Sequence, residues 1–202
     1  MSSESLQSRN KSKTANHLDL SNLPIIDEEL GELRFFPALE DLQLDHSLIT
    51  DHGLAHLSCV PELTSLAVTN CPITNDGLRE LLKTPKIREL YLAGTGVSDA
   101  GLEFVGTLGK LVSLDLDNTR ITNEGLYFLQ VLTHCEYLSL EQTAITDDGL
   151  RYLASLTALK SAYFKGTQIS KAAIDSLMGH LPSLRYVELN AWEFSAGEWQ
   201  TR

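Results

Sequence analysis

Apolar residues recur at positions 1, 4, 6 and 11 of a 24-residue unit. It begins at Ala15 and restarts at 39, 63, 87, 111, 135 and 159. In the third unit these positions hold Leu63, Leu66, Val68 and Ile73. The alternation at 4 and 6, with polar residues between, predicts a short strand with one buried face. Position 12 is Thr50, Thr74, Ser98, Thr122, Thr146 or Ser170, and Asp51, Asp76, Asp99, Glu124 and Asp147 follow within two residues. A hydroxyl followed by a carboxylate predicts a helix start, the one capping free N–H groups and the other favouring the positive end of the dipole. Leu54 with Leu57, Leu126 with Leu129 and Leu150 with Leu153 supply an i, i+3 stripe facing the strands. Each unit therefore predicts strand, turn, helix of about two turns and return loop.

Two further columns refine the unit. Position 9 is small and polar (Ser47, Cys71, Thr95, Thr119, Thr143, Thr167), suited to meeting backbone groups where the chain leaves the strand. Position 15 is Gly53, Gly77, Gly101, Gly125 and Gly149. A glycine in a first helical turn costs about 0.5–1 kcal/mol relative to alanine, so its recurrence predicts a close approach between neighbouring helices.

The pattern frays at both ends. The first unit has Ile26 at the cap position and Glu29 in place of glycine, and the seventh has Ala173. An extra residue near Gly179-His180 delays the eighth start to Leu184. There Ser195 and Glu198 echo a capping box, and Trp192, Phe194 and Trp199 are expected to cover the open end of the core. Residues 1–14 lack the period and are expected to form a disordered polar tail, followed by one repeat domain over 15–202.

The combined pattern L-x-x-L-x-L-x-x-T-x-I-T-D-x-G-L-x-x-L resembles the leucine-rich repeat superfamily, over about residues 15–195. Within it the chain is similar to the cysteine-containing repeats of F-box proteins and to the Thr-Asp-x-Gly-Leu repeats of bacterial, including planctomycete, proteins. The resemblance implies an α/β solenoid, a right-handed β-α superhelix. Eight parallel strands would line the concave side of an arc, and about seven short helices the convex side. Such a floor runs roughly 34 Å across seven strand spacings. The resemblance also implies protein–protein interaction through the concave face and no cofactor. Only 14 mostly polar residues precede the repeats, so an F-box is not expected.

A net charge of −11 argues against nucleic-acid binding. The N-terminus has no apolar signal-peptide core, and Cys59, Cys71 and Cys135 fall at apolar or small repeat positions. Together these predict reduced thiols and a cytoplasmic setting. Nucleophile elbow, H-E-x-x-H and phosphate-loop motifs are missing, so no catalytic residues are expected.

Charge concentrates at positions 3, 5 and 7, which the strand alternation turns into the arc. Asp19, Asp41, Asp45, Glu89, Asp115, Asp117, Glu141 and Glu188 stand there against one base, Lys165. Tyr91, Tyr137, Tyr163 and Tyr186 interleave with them. Aromatic rings beside carboxylates suit a cationic partner, so Glu89, Tyr91, Asp115, Asp117, Tyr137, Glu141 and Tyr163 are the expected contact residues for a basic protein. The alternative is a small-ligand, metal or glycan binder on the same surface. His17, Asp19, Asp41 and His46 are the candidate metal ligands, and the two tryptophans a candidate ligand platform.

Overall fold

The computed structural model of the chain describes residues 5–10 and 16–201. Leu18, Leu42, Leu66, Leu90, Leu114 and Leu138 are fully or almost fully buried, as position 4 of a one-sided strand must be. Around them run β1 (His17–Asp19), β2 (Asp41–Gln43), β3 (Ser65–Ala67), β4 (Glu89–Tyr91), β5 (Ser113–Asp115), β6 (Tyr137–Ser139), β7 (Ser161–Tyr163) and β8 (Tyr186–Glu188). All eight pair in parallel and in sequence order. The register keeps each repeat position in its own column, for example Tyr91 beside Asp115 and Tyr137 beside Ser161. Short helical segments at 27–35, 51–59, 75–83, 99–105, 123–129, 147–152 and 171–178 cover the opposite face of the core.

In four repeats position 9 closes the turn after the strand. The hydroxyls of Thr95, Thr119, Thr143 and Thr167 donate to the carbonyls of Leu92, Leu116, Leu140 and Phe164 at 2.5–2.6 Å. Cys71 instead turns its thiol to the preceding repeat, 3.1 Å from Leu44 O and 3.4 Å from the Ser47 hydroxyl. Position 8 is set by the backbone. Asn22, His46, Asn70, Asn118 and Gln142 adopt positive φ, as do Gly94 and Gly166. The Asn and Gly content of this column answers to left-handed backbone, not to a ligand.

The carboxylates of the first helical turn also do more than favour their own helix. Thr50 donates its N–H (2.7 Å) and hydroxyl (2.6 Å) to Asp27 of the preceding repeat. The same pair of bonds joins Thr74 to Asp51, Thr122 to Asp99 and Ser170 to Asp147. Where the residue is Asn75 or Asn123, its oxygen accepts from the next N–H and its amide donates to the next hydroxyl. Repeats are thus stitched along the helical edge by paired hydrogen bonds, most of them charge-assisted. This rung explains the glycine column. A β-carbon on Gly53 would lie 2.5 Å from Asp27 Oδ1, and one on Gly101 2.6 Å from Asn75 Oδ1. The predicted close approach exists, but its partner is a hydrogen-bonded side chain rather than a helix backbone alone. Glu29 needs no glycine because no earlier repeat sends an oxygen there. Its carboxylate instead accepts the Ile26 N–H at 3.0 Å.

Both ends depart from expectation. Residues 1–4 and 11–14 of the expected disordered tail lie outside the described residues. Residues 5–10 are ordered, with a helical turn at Leu6–Arg9 and Leu6 only 1% exposed inside the core. A single leucine among polar residues carries no period, and only the open end of the solenoid gives it a socket. At the other end the Ser195/Glu198 echo starts no helix. β9 (Trp192–Ser195) and β10 (Glu198–Thr201) form an antiparallel hairpin, raising the sheet to ten strands. Its two-residue loop, Ala196-Gly197, has positive φ at both positions, the geometry that matches hairpin twist. Phe194 and Trp199 pack against the core end with ring centroids 5.5 Å apart, whereas Trp192 stays partly exposed.

Candidate functional site

The side chains opposite the buried position 4 emerge from the sheet at positions 3 and 5, and the loop after each strand adds position 7. On β4 to β8 this builds a depression of about 380 Å³ lined by Tyr91, Asp115, Asp117, Tyr137, Glu141, Tyr163 and Glu188, with Ser113 and Ser139. Six of the seven expected contact residues meet there. Glu89 does not line it. That side chain turns to neighbouring depressions shared with Asp41 and Ser65, while the Tyr91 hydroxyl reaches Glu89 at 3.4 Å.

The acids are built in, not merely displayed. Asp117 Oδ1 accepts from Glu141 N–H at 2.7 Å and from the Ser139 hydroxyl at 2.5 Å, so it ties one repeat to the next. Asp115 Oδ1 accepts from Asp117 N–H at 2.9 Å. Burial pushes the Asp115 carboxyl up to about 6, the Asp117 N–H pulling it back and the Asp117 and Asp45 charges adding to the rise. Asp117 is raised by burial against the lowering effect of its hydrogen bonds. Glu141 is raised by burial and by the Asp117 and Glu188 charges, with Lys165 opposing. Exchange of Asp115 or Asp117 for lysine would therefore disturb the fold as well as the charge, because each carboxylate holds a backbone N–H. Burial raises Tyr91 too.

Tyr137 is 45% exposed at the rim, and Tyr163 packs on Tyr186 with centroids 5.3 Å apart. The Tyr186 hydroxyl donates to Glu188, itself almost fully buried. Four converging carboxylates with aromatic walls make a local excess of negative potential in a partly desolvated hollow, where a cation would gain most.

The candidate metal ligands are not assembled. His17 Nδ1 lies 2.5 Å from Asp41 Oδ2. Asp19 accepts from Ser21 N–H at 3.0 Å. His46 faces Asn70 at 3.5 Å. Among the described residues no three His, Cys, Asp or Glu side chains come together in a metal-binding arrangement. Trp199 is not a free platform, since it donates to Asp175 at 2.7 Å and lies under Lys171.

A family model described as Leucine Rich repeat matches residues 61–82 and 110–129. An internalin (inlF) from Listeria monocytogenes shares 27% identity with a TM-score of 0.72, over 86% of this chain and 47% of that one. The chain carries leucine-rich repeats. An internalin C2 (inlC2) from the same organism is also similar, at 27% identity and TM-score 0.71, over 84% of this chain and 69% of that one. The leucine-rich repeat chain thus spans about half the length of the first of these structures. No curated protein matches the sequence. Its parallel sheet with short helices on the other face matches the repeat architecture of these structures.

Proposed function

We propose that this leucine-rich repeat module binds a protein partner on its strand face, and that a basic segment of the partner seats in the hollow of β4 to β8. The observation that carries the reading is the convergence of Asp115, Asp117, Glu141 and Glu188 with Tyr91, Tyr137 and Tyr163 around one depression. An Arg or Lys side chain entering it would exchange water for carboxylates and ring faces at once. Glu89 and Asp41, on the adjoining strands, extend the acidic track towards β2 and would steer the approach. A floor of this length can bury on the order of 800 Å² per partner, the size of a standard specific interface. The three free thiols, two of them buried, support a reducing, cytoplasmic workplace.

The test is binding of a labelled arginine- and lysine-rich peptide pool, followed by fluorescence anisotropy at low and high salt. Binding should weaken with salt, because charges separated by more than about 8 Å are screened at physiological ionic strength. It should be lost in Tyr137→Ala with Glu141→Gln and retained in Glu103→Lys on the helical face. Equal binding of an acidic pool, or loss of binding only in the helical-face variant, would refute the assignment.

A further inference from the structure

The sheet has two outer edges, and they are treated differently. On β1 the inner side pairs with β2: Asp41 N–H donates to Asn16 O at 3.1 Å, and Leu20 N–H to Gln43 O at 2.8 Å. By the alternation of a parallel ladder, His17 C=O and Asp19 N–H then point to the outer edge. Asn10 takes both. Its Nδ2 donates to His17 O at 3.1 Å, and its Oδ1 accepts from Asp19 N–H at 2.9 Å. One residue of an additional parallel strand would make the same two bonds.

The segment carrying Asn10 is held by three separate attachments. Leu6 is buried in the core. Its N–H donates to Glu32 Oε2 at 2.8 Å, and Arg9 pairs with Glu29. At the far end the sheet stops at β10, and no described strand pairs with its outer side. Unpaired strand edges are templates for further pairing, so the asymmetry has a consequence.

We propose that residues 5–10 are an edge guard: they keep β1 closed to a second copy of this chain, whose β10 offers the other open edge. Among the described residues the chain carries both edges, one guarded and one without a partner strand, so release of the guard gives every copy two complementary edges. Such a head-to-tail contact does not close on itself and grows into rows.

The full-length chain with Asn10→Ala, and with Leu6→Asp added, tests this by light scattering on a sizing column over a range of concentrations, with amide hydrogen exchange at Asp19. The native chain should stay monomeric with Asp19 protected. Asn10→Ala should lose protection at Asp19, and the double variant should shift to earlier elution as concentration rises. Thr201 lies next to the end of the hairpin, where its N–H faces outward in the alternation counted from the two-residue turn. Adding Thr201→Pro removes that donor and should restore the monomer. Several results would overturn the proposal. They are an associating native chain, unchanged Asp19 protection in Asn10→Ala, and association that survives Thr201→Pro. A double variant that unfolds cooperatively yet stays monomeric would also do so. Should the double variant fail to fold, Asn10→Ala alone, with Leu6 still in its socket, must show the concentration-dependent shift.

Discussion

The carboxylate of Asp99 stands where a β-carbon on Gly125 would have to go, and it is fixed there by two hydrogen bonds from Thr122, 2.8 Å from the N–H and 2.6 Å from the hydroxyl. Three residues from two repeats thus form one joint. The glycine of one repeat makes room for the oxygen of the previous repeat, which in turn holds the start of the helix that carries the glycine.

Gly125→Ala should therefore destabilise the protein by about 1–3 kcal/mol, the range for overpacking and for a disturbed, partly buried hydrogen bond. Gly31→Ala is the contrast, because its nearest neighbour would be 3.8 Å away. It should be neutral or stabilising by up to about 1 kcal/mol, the helix preference of alanine. Urea unfolding of both variants and of Asp99→Ala with Gly125→Ala checks this. The double variant should lose less than the sum of the two singles, since each single breaks the same joint. Additive losses would show that the glycine answers to something other than Asp99.

Asp115 gives a pH prediction of definite sign. Its folded-state value of about 6 lies above the ordinary 3.8, so between those values the folded chain holds more protons than the unfolded one. Stability attributable to this group is thus lost as pH rises from about 4 to about 6. Asp115→Asn keeps the oxygen that accepts the Asp117 N–H and removes the charge. Its melting temperature should exceed the native one at pH 7–8, and the difference should vanish near pH 4. A constant difference across the range would place the titration elsewhere. The same ionisation makes the hollow more negative, so binding of the basic peptide pool should strengthen over this window.

Cys71 and Cys135 are buried, and burial pushes the Cys135 thiol up to about 12 and raises Cys71 as well. Neither holds much thiolate at neutral pH, and the thiolate is the reacting form. A maleimide reagent should label Cys59, which is partly exposed, well before the other two, as read by mass spectrometry of the native protein. Early labelling of Cys135 would contradict its position under the core.

Much of this molecule was legible along the chain because a repeat multiplies each local preference. The burial of Leu42, Leu66 and Leu90, the turn-closing role of Thr95 and Thr119, and the face shared by Tyr91, Asp115 and Glu141 all follow from periodicity and strand alternation. What lay beyond the sequence were contacts between repeats and at the ends. Asp51 reads as a helix-start acid on its own strand of text, yet its oxygens serve Thr74, 23 residues on. Asp117 reads as a surface charge, yet it holds the N–H of Glu141. Leu6, Asn10 and the Trp192–Thr201 hairpin belong to no period, and their places exist only once a stacked core has an open end. Periodicity determines which side of each unit is buried, because apolar area acts without direction. Which polar atom meets which across the stack depends on hydrogen-bond distances of a few ångströms, and only the assembled superhelix sets those.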